Sequence, residues 1–341
     1  MRSRGWTTAQ KRLVVTESVA TLRTIRSAAE LQGVFPALFT PLVDDDPKRL
    51  HNRIDFEKAK RMIDDLVAAG VHGLVPIGTT GQSPTVTHQQ HLEFIQFTAD
   101  YLDGRLPLLA GMGSNCTRES VEMITELQRR VGRCAVLCVT GYYNNPPQAG
   151  LREHYRTLSR ETGAPIVLYN VPGRTASYLE PETLIELAED ANIIGLKQAV
   201  DFCHPGRHQE DTARVIRETS HLGFSVVSGE DDGLPTILGM GGKGIISATA
   251  NIPEAARLFC KMLDAAQRHD DNALAALQGE LAPFVEAVFC RKNPIPLGTL
   301  FNSPLYLPLV SVRETPDGAA AEARLLELVK TRAQSLRKYH P

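Results

Sequence analysis

Eight short apolar runs between residues 34 and 247 constrain this chain more than any other feature. They read VFPALF (34–39), VHGLVPI (71–77), LPLLAG (106–111), CAVLCVT (134–140), PIVLYN (165–170), NIIGLK (192–197), FSVVS (224–228) and KGIIS (243–247). Each is continuous rather than alternating, as in parallel strands covered on both faces. Between them, apolar residues recur at helical spacing. DFEKAKRMIDDLVAAG closes on Gly70, and TRESVEMITELQRRVG begins with Thr117 as a cap and stops at Gly132. Strands alternating with helices, without a linker, predict one α/β unit, a (β/α)8 TIM barrel over 33–268. An open doubly wound sheet ranks second, because no GxGxxG follows the first run. Helical patterns over 270–289 and 319–338 place additional C-terminal helices in 269–341, a common location for oligomer contacts.

Residues 1–32 are set apart as an N-terminal extension, outside the core fold. MRSRGWTTAQKRLVV is basic, with no acid before Glu17, as in organelle transit peptides, but it lacks the unbroken apolar core of a secretory signal. It reads as an extra amphipathic helix or an over-long gene start. The net charge of −2 leaves no footprint for nucleic acid or an anionic membrane. No apolar run approaches the ~20 residues of a membrane span. Six scattered cysteines without a CxxC pair fit a reducing, cytoplasmic setting.

A barrel of this kind carries its chemistry at the C-terminal ends of its strands. Lys197 ends the sixth run and Tyr169 the fifth, GTTG (78–81) follows the second, and GYYNNP (141–146) follows the fourth. A strand-end lysine seen alone is more often simply solvated. As a nucleophile it must be neutral, and an unperturbed amine of pKa about 10.4 is free in roughly one molecule in a few thousand at pH 7. Apolar surroundings disfavour an ammonium and raise that fraction. The natural product is a Schiff base with a ketone, which makes the neighbouring carbon an enamine. Tyr169 can relay protons, Arg174 offers a fork for a carboxylate, and the hydroxyls and amides at Thr79 and Thr80 suit a small carboxylate.

The motifs GTTGQSPT, GYYNNP, YNVPGRT, GLKQA, SGEDD, GGKGIISATAN and NPIP follow one another as in the dihydrodipicolinate synthase/N-acetylneuraminate lyase superfamily, which the chain resembles over about 33–310. The resemblance implies a pyruvate-binding lysine, Lys197, with no cofactor and no metal. Arg174 resembles the synthase branch, since sialic-acid lyases usually carry an apolar residue there. That branch condenses pyruvate with aspartate 4-semialdehyde to 4-hydroxy-tetrahydrodipicolinate, the entry to diaminopimelate and lysine. On this resemblance Tyr169, Thr79 and Tyr143 form a proton relay, with Tyr143 reaching in from a neighbouring subunit. Thr80 holds the pyruvate carboxylate, Arg174 guides that of the second substrate, and Gly229 and Ile246 line the pocket. The usual assembly is a dimer of dimers.

Synthases inhibited by lysine use a dimer-interface pocket whose residues match Ser83, His88, His91, Asn115, Glu119 and Tyr142. The plainer alternative is that His88 and His91 start a solvated helix. Three features depart from the family. Gln82 stands where Glu is usual, Gln198 follows the lysine where an acid is common, and Pro84 replaces a small residue beside the lysine pocket. Each glutamine removes a charge near the rim. DFCHPGRHQED (201–211) is longer than the family's loop, and its Cys203, His204 and His208 invite a zinc site, against which stands the lack of a fourth ligand at usual spacing. Reshaping of aldehyde access is the expected role. Two further readings stay open: a pyruvate-dependent aldolase or dehydratase acting on a sugar acid, and a silent barrel kept as a binding protein. The intact set of Lys197, Tyr169 and Thr79 argues against silence.

Overall fold

Each of the eight apolar runs forms a strand. A computed structural model describes residues 23–340 of the chain. The strands are β1 (Gly33–Leu38), β2 (Val75–Pro76), β3 (Leu109–Gly111), β4 (Ala135–Val139), β5 (Ile166–Asn170), β6 (Ile193–Gln198), β7 (Ser225–Ser228) and β8 (Gly244–Ser247). They pair in parallel in the order β2-β1-β8-β7-β6-β5-β4-β3. The remaining seam, between β2 and β3, closes through a bridge of Leu74 to Leu108. There Leu74 N donates to Pro107 O (3.1 Å) and Leu109 N donates to Leu74 O (3.0 Å). Helices between the strands complete a (β/α)8 barrel.

The buried side chains separate into two sets. Leu38, Val136, Leu168 and Leu196 belong to the layer between sheet and helices. Phe35, Val75, Leu109, Leu137, Val167, Ile194, Val227 and Ile246 fill the interior. Burial on both faces is why these strands read as unbroken apolar runs.

The helix Phe56–Ala69 is capped by Asp55, whose carboxylate accepts from Lys58 N, and ends on Gly70 at φ 83°. In the helix Thr117–Val131, Thr117 is the first helical residue rather than the cap. Cys116 occupies the capping position without a side-chain bond, and the Thr117 hydroxyl lies 2.9 Å from His154 Nδ1. The threonine satisfies a neighbouring helix instead of its own amides.

The described part of the N-terminal segment lies inside the barrel's lower end. Ile25 and Leu31 are fully buried among the interior side chains. Thr24 bridges to Leu108 and its hydroxyl accepts from Ala135 N (2.9 Å), while Ser225 Oγ donates to Leu31 O (2.6 Å). Residues 24–31 therefore floor the barrel, and separating them from the core fold does not describe the packing. The transit-peptide-like stretch itself lies outside the described residues.

At the other end of the chain, the helices Asp271–Phe289, Ile295–Leu300 and Gly318–Thr331 follow the barrel. Leu281, Phe284, Val285 and Val288 bury the first of them, which packs on Pro253–Gln267. No helix among the described residues is long and apolar enough to cross a membrane.

Because Ile25 and Leu31 fill space that nothing else occupies, truncating either to alanine leaves a cavity. Each substitution is expected to lower unfolding free energy by roughly 2–5 kcal/mol, read as a shift of the urea midpoint at unchanged slope.

Candidate active site

The register of β5 against β6 slips between Ile166 and Val167, so that the partner of Ile166 is Ile193 and that of Val167 is Gly195. The slip resets the parity of β6. Gly195 and Lys197 then face inward with Val167 and Tyr169, while Leu196 and Gln198 face the helices with Leu168 and Asn170. Lys197 is paired in register with Tyr169, and its Nζ sits 4.4 Å from the centre of the phenol ring. The residue is 6% exposed. A bulky barrel interior cannot hold a lysine unless space is made for it, and two glycines make it. A Cβ on Gly229 would come within 2.9 Å of Lys197 Cε and 2.7 Å of Ala199 Cβ. Below, a Cβ on Gly195 would lie 2.6 Å from Leu31 Cδ2, so the floor residue and the strand fit only without a side chain there.

Several of the expected groups share a cavity with Tyr169, the partner of this amine. Thr79 and Arg174 line a cavity of about 490 Å³ together with Tyr169. Arg174 Nη2 donates to Asn293 O (3.1 Å), and Asn293 Nδ2 donates to Thr80 Oγ1 (3.0 Å). The C-terminal segment thus ties the loop after β2 to the loop after β5. Thr80 is buried, with its hydroxyl proton left free to donate. Ile246 is buried inside the barrel on β8, and Gly229 N donates to Gln198 O at 2.7 Å. Tyr143 stands apart. It is 94% exposed at φ 73°, and within one chain it is not brought to Tyr169 and Thr79.

Of the residues matched to a lysine pocket, Ser83, His88, His91, Glu119 and Tyr142 line the same cavity, and Asn115 does not. Glu119 faces His88 Nε2 at 3.0 Å and accepts from Ser114 Oγ. Asn115 Oδ1 accepts from Tyr142 N (2.8 Å), which fixes the start of the loop bearing Tyr143. His91 differs from its neighbour: its Nε2 lies 2.6 Å from Gly111 O, and burial pushes its pKa down to about 4. It is a neutral donor in the wall, whereas His88 is largely exposed. The histidines therefore do not merely open a solvated helix.

Both glutamine departures have a structural reason. Gln198 faces away from the rim, where its Oε1 accepts from Asn170 Nδ2 (2.9 Å) and its Nε2 donates to Thr212 Oγ1 (3.2 Å). Gln82 is buried, donating to Thr40 O (3.2 Å) and accepting from Tyr306 N (3.0 Å). Neither sits where a carboxylate would serve the cavity. The longer loop does not gather a metal site: His204 is held by Asp201 at 2.8 Å, and the His208 ring packs on Tyr178. No group of three His, Cys, Asp or Glu suited to a metal occurs among the described residues.

One acid at the site escaped sequence reasoning. Glu230 directly follows Gly229 at the end of β7, where the charges of Lys197 and Arg174 act on its carboxyl. Burial, then the adjacent Asp231, raise its pKa to about 7, with Lys197 and Arg174 pulling the other way. Asp231 lies behind it, fully buried, its Oδ2 accepting from Thr249 N at 2.7 Å. The signal was present in SGEDD, an acid one residue past a barrel strand.

Residues 30–330 match the model of the dihydrodipicolinate synthetase family. The chain belongs to that family. It is an enzyme of the lyase type that the family comprises. A relative from Methanopyrus kandleri, named 4-hydroxy-tetrahydrodipicolinate synthase, is 39% identical over 292 residues, 84% of this chain and 92% of the relative. The chloride-inhibited dihydrodipicolinate synthase from Acinetobacter baumannii, solved in complex with pyruvate, superposes with a TM-score of 0.77 at 29% identity, covering 87% of this chain and 98% of that one. The enzyme from Cyanidioschyzon merolae with lysine bound gives a TM-score of 0.78 at 29% identity, over 90% and 99%.

The Gln82 amide both donates and accepts, which a carboxylate cannot do. Gln82→Glu is expected to destabilise the fold by about 1–3 kcal/mol. Burial raises the new carboxyl's pKa in the folded state, so the deficit should be small in acid, where the protonated group can still donate, and grow as pH rises. Thermal unfolding between pH 4.5 and 8 checks the direction.

Proposed function

We propose that this enzyme condenses pyruvate with L-aspartate 4-semialdehyde to give 4-hydroxy-tetrahydrodipicolinate, through a Schiff base on Lys197. The observation that carries the proposal is the inward Lys197 amine against the Tyr169 ring, with Arg174 lining the same cavity as Tyr169. The neutral amine adds to the pyruvate carbonyl. Loss of water from the carbinolamine needs a group that both gives and takes a proton, and the phenol of Tyr169 is within reach of the nitrogen. Thr79 continues the relay, and Tyr143, projecting from its own chain, completes it in a neighbouring subunit. At least a homodimer follows from that need, and a dimer of dimers is the assembly the family resemblance favours. Thr80, with the amides of its loop, takes the pyruvate carboxylate. Gly229 and Ile246 shape the wall against which the keto acid lies. Arg174, already aligned by Asn293, receives the carboxylate of the aldehyde substrate.

This chemistry uses no cofactor and no metal. The relative complexed with pyruvate supports the first substrate, and the names of the curated relatives support the product. Free lysine is the proposed inhibitor. Its ammonium pairs with Glu119, opposite His88, and its carboxylate meets Asn115 and Tyr142, with Ser83 and His91 in the wall. The relative with lysine bound favours this reading. A cytoplasmic setting fits the free thiols of Cys116, Cys134, Cys138, Cys203, Cys260 and Cys290.

Treatment with pyruvate and borohydride is expected to add one reduced pyruvyl group at Lys197, seen by peptide mass measurement, and Lys197→Ala is expected to abolish both adduct and turnover. Turnover of aspartate semialdehyde with none of sugar-acid aldehydes supports the assignment; the reverse preference would replace it with a sugar-acid aldolase. Glu119→Gln is expected to raise the lysine concentration for half-inhibition at least tenfold while the uninhibited rate changes less than twofold.

A further inference from the structure

The substrate proposed above carries an ammonium as well as a carboxylate, and Arg174 answers only the second. Ring closure adds a requirement. After the enamine has formed the carbon–carbon bond, the amino nitrogen must attack the imine carbon held by Lys197, which an ammonium cannot do. A base at the mouth of the barrel is needed, close to both the imine and the bound carboxylate.

Glu230 occupies such a place. It is anchored by its main chain, Glu230 N donating to Ser228 Oγ (3.1 Å) and Ser228 Oγ to Glu230 O (2.8 Å), at the tip of β7. The preceding Gly229 is the residue against which Lys197 Cε packs. Among the described residues, no group is hydrogen bonded or ion paired to the Glu230 carboxylate. The charged and titratable groups facing it are Lys197 from β6, Arg174 from the loop after β5, Cys203 from the loop after β6, and Asp231 and Asp232 from its own turn. Asp232 in turn faces Glu286 of the helix Asp271–Phe289. Asp231 is already committed to the Thr249 amide, which leaves Glu230 as the uncommitted acid on which both the lysine and the arginine act.

We infer that Glu230 is a catalytic residue of the second half-reaction: its carboxylate binds the ammonium of the α-amino aldehyde and removes a proton from it as the ring closes. The inference rests on the substrate proposed above. One N–H proton passes to Glu230, and the freed lone pair forms the new bond to the imine carbon. As the bond forms, the π pair of the protonated imine passes to Lys197 Nζ. A second proton then moves from the ring nitrogen to Nζ, and the lone pair this leaves forms the ring C=N bond as the bond from carbon to Nζ breaks with its pair going to Nζ. The lysine leaves as an amine, and the ring iminium gives its last N–H proton to solvent. Glu230 then releases its proton to solvent. The step consumes no further reagent. A carboxyl whose pKa lies at about 7 exchanges protons readily in both directions near neutrality.

The test compares the full-length enzyme with Glu230→Gln and Glu230→Asp. For the wild type, kcat/KM for aspartate semialdehyde is expected to rise with pH through about 7. In Glu230→Gln, borohydride trapping of pyruvate on Lys197 should be unchanged, which also shows an intact fold. The KM for aspartate semialdehyde should increase at least tenfold, and the rising limb near neutrality should disappear. Glu230→Asp should restore part of the limb. Unchanged KM and pH profile in Glu230→Gln overturn the role, as does loss of the pyruvate adduct, which would place Glu230 in the first half-reaction. A wild-type enzyme that traps pyruvate but never turns over aspartate semialdehyde removes the substrate assignment itself, a result distinct from both.

Discussion

A single register slip in the sheet decides where the Lys197 amine lies. Strand side chains alternate strictly between faces, so without the irregularity between β5 and β6 the positions bearing Lys197 and Tyr169 could not both point into the barrel while Ile193 and Ile194 keep their packing. Once both point inward, register brings them side by side and the 4.4 Å contact follows. The interior is otherwise apolar, and an unoccupied neighbour is needed on each side. Gly229 leaves room above for the lysine stem, and Gly195 leaves room below for Leu31. The site is thus supported from the floor upward: Ile25 and Leu31 close the lower end, the apolar interior residues fill the middle, and the lysine caps the column.

The mouth of the barrel is built by elements distant in sequence. Asn293, far downstream of the last strand, connects Thr80 to Arg174, and Tyr306 locks the Gln82 loop. The C-terminal helices are therefore structural partners of the site, positioning the loops after β2 and β5. Gln82 also explains why charge was dispensable at that position. Its surroundings supply one acceptor and one donor, and an amide answers both where an ionised carboxylate could only accept.

Much of this was legible in the residues. Continuous apolar runs mark strands buried on both faces, and the polar residues ending them fall on one rim by topology. What could not be read was parity. Gln198 adjoins the lysine in sequence, and only the sheet register shows that it turns to the helices, bonding Asn170 and Thr212. Thr117 was misplaced by one residue because its hydroxyl serves His154 across helices, a long-range preference that local capping rules do not contain. The floor formed by residues 24–31 was hidden because its only periodic signal is two apolar residues separated by a polar turn. Glu230 went unread because acids after strands are ordinary in solvated loops, and its distinction is burial beside two cations.

The cavity itself suggests how inhibitor and chemistry could communicate. Ser83, His88, His91, Glu119 and Tyr142 line one continuous space with Thr79, Tyr169 and Arg174, and Tyr142 joins that wall to the loop 141–146. Asn115 holds Tyr142 by its backbone amide, and Tyr143, the next residue, projects outward at positive φ. On the proposed reading, an amino acid bound between Glu119 and Tyr142 would compete for the groups that set this loop's start, while the loop's tip would supply the last member of the relay to another subunit. A ligand shifts such an equilibrium only through contacts that differ between two arrangements. In the proposed site that differing contact would be the Asn115 side chain, which accepts from the Tyr142 amide here and would turn to the ligand's carboxylate on binding. The distance from binding to catalysis would then be one residue of backbone, with no chain of packed groups required between them.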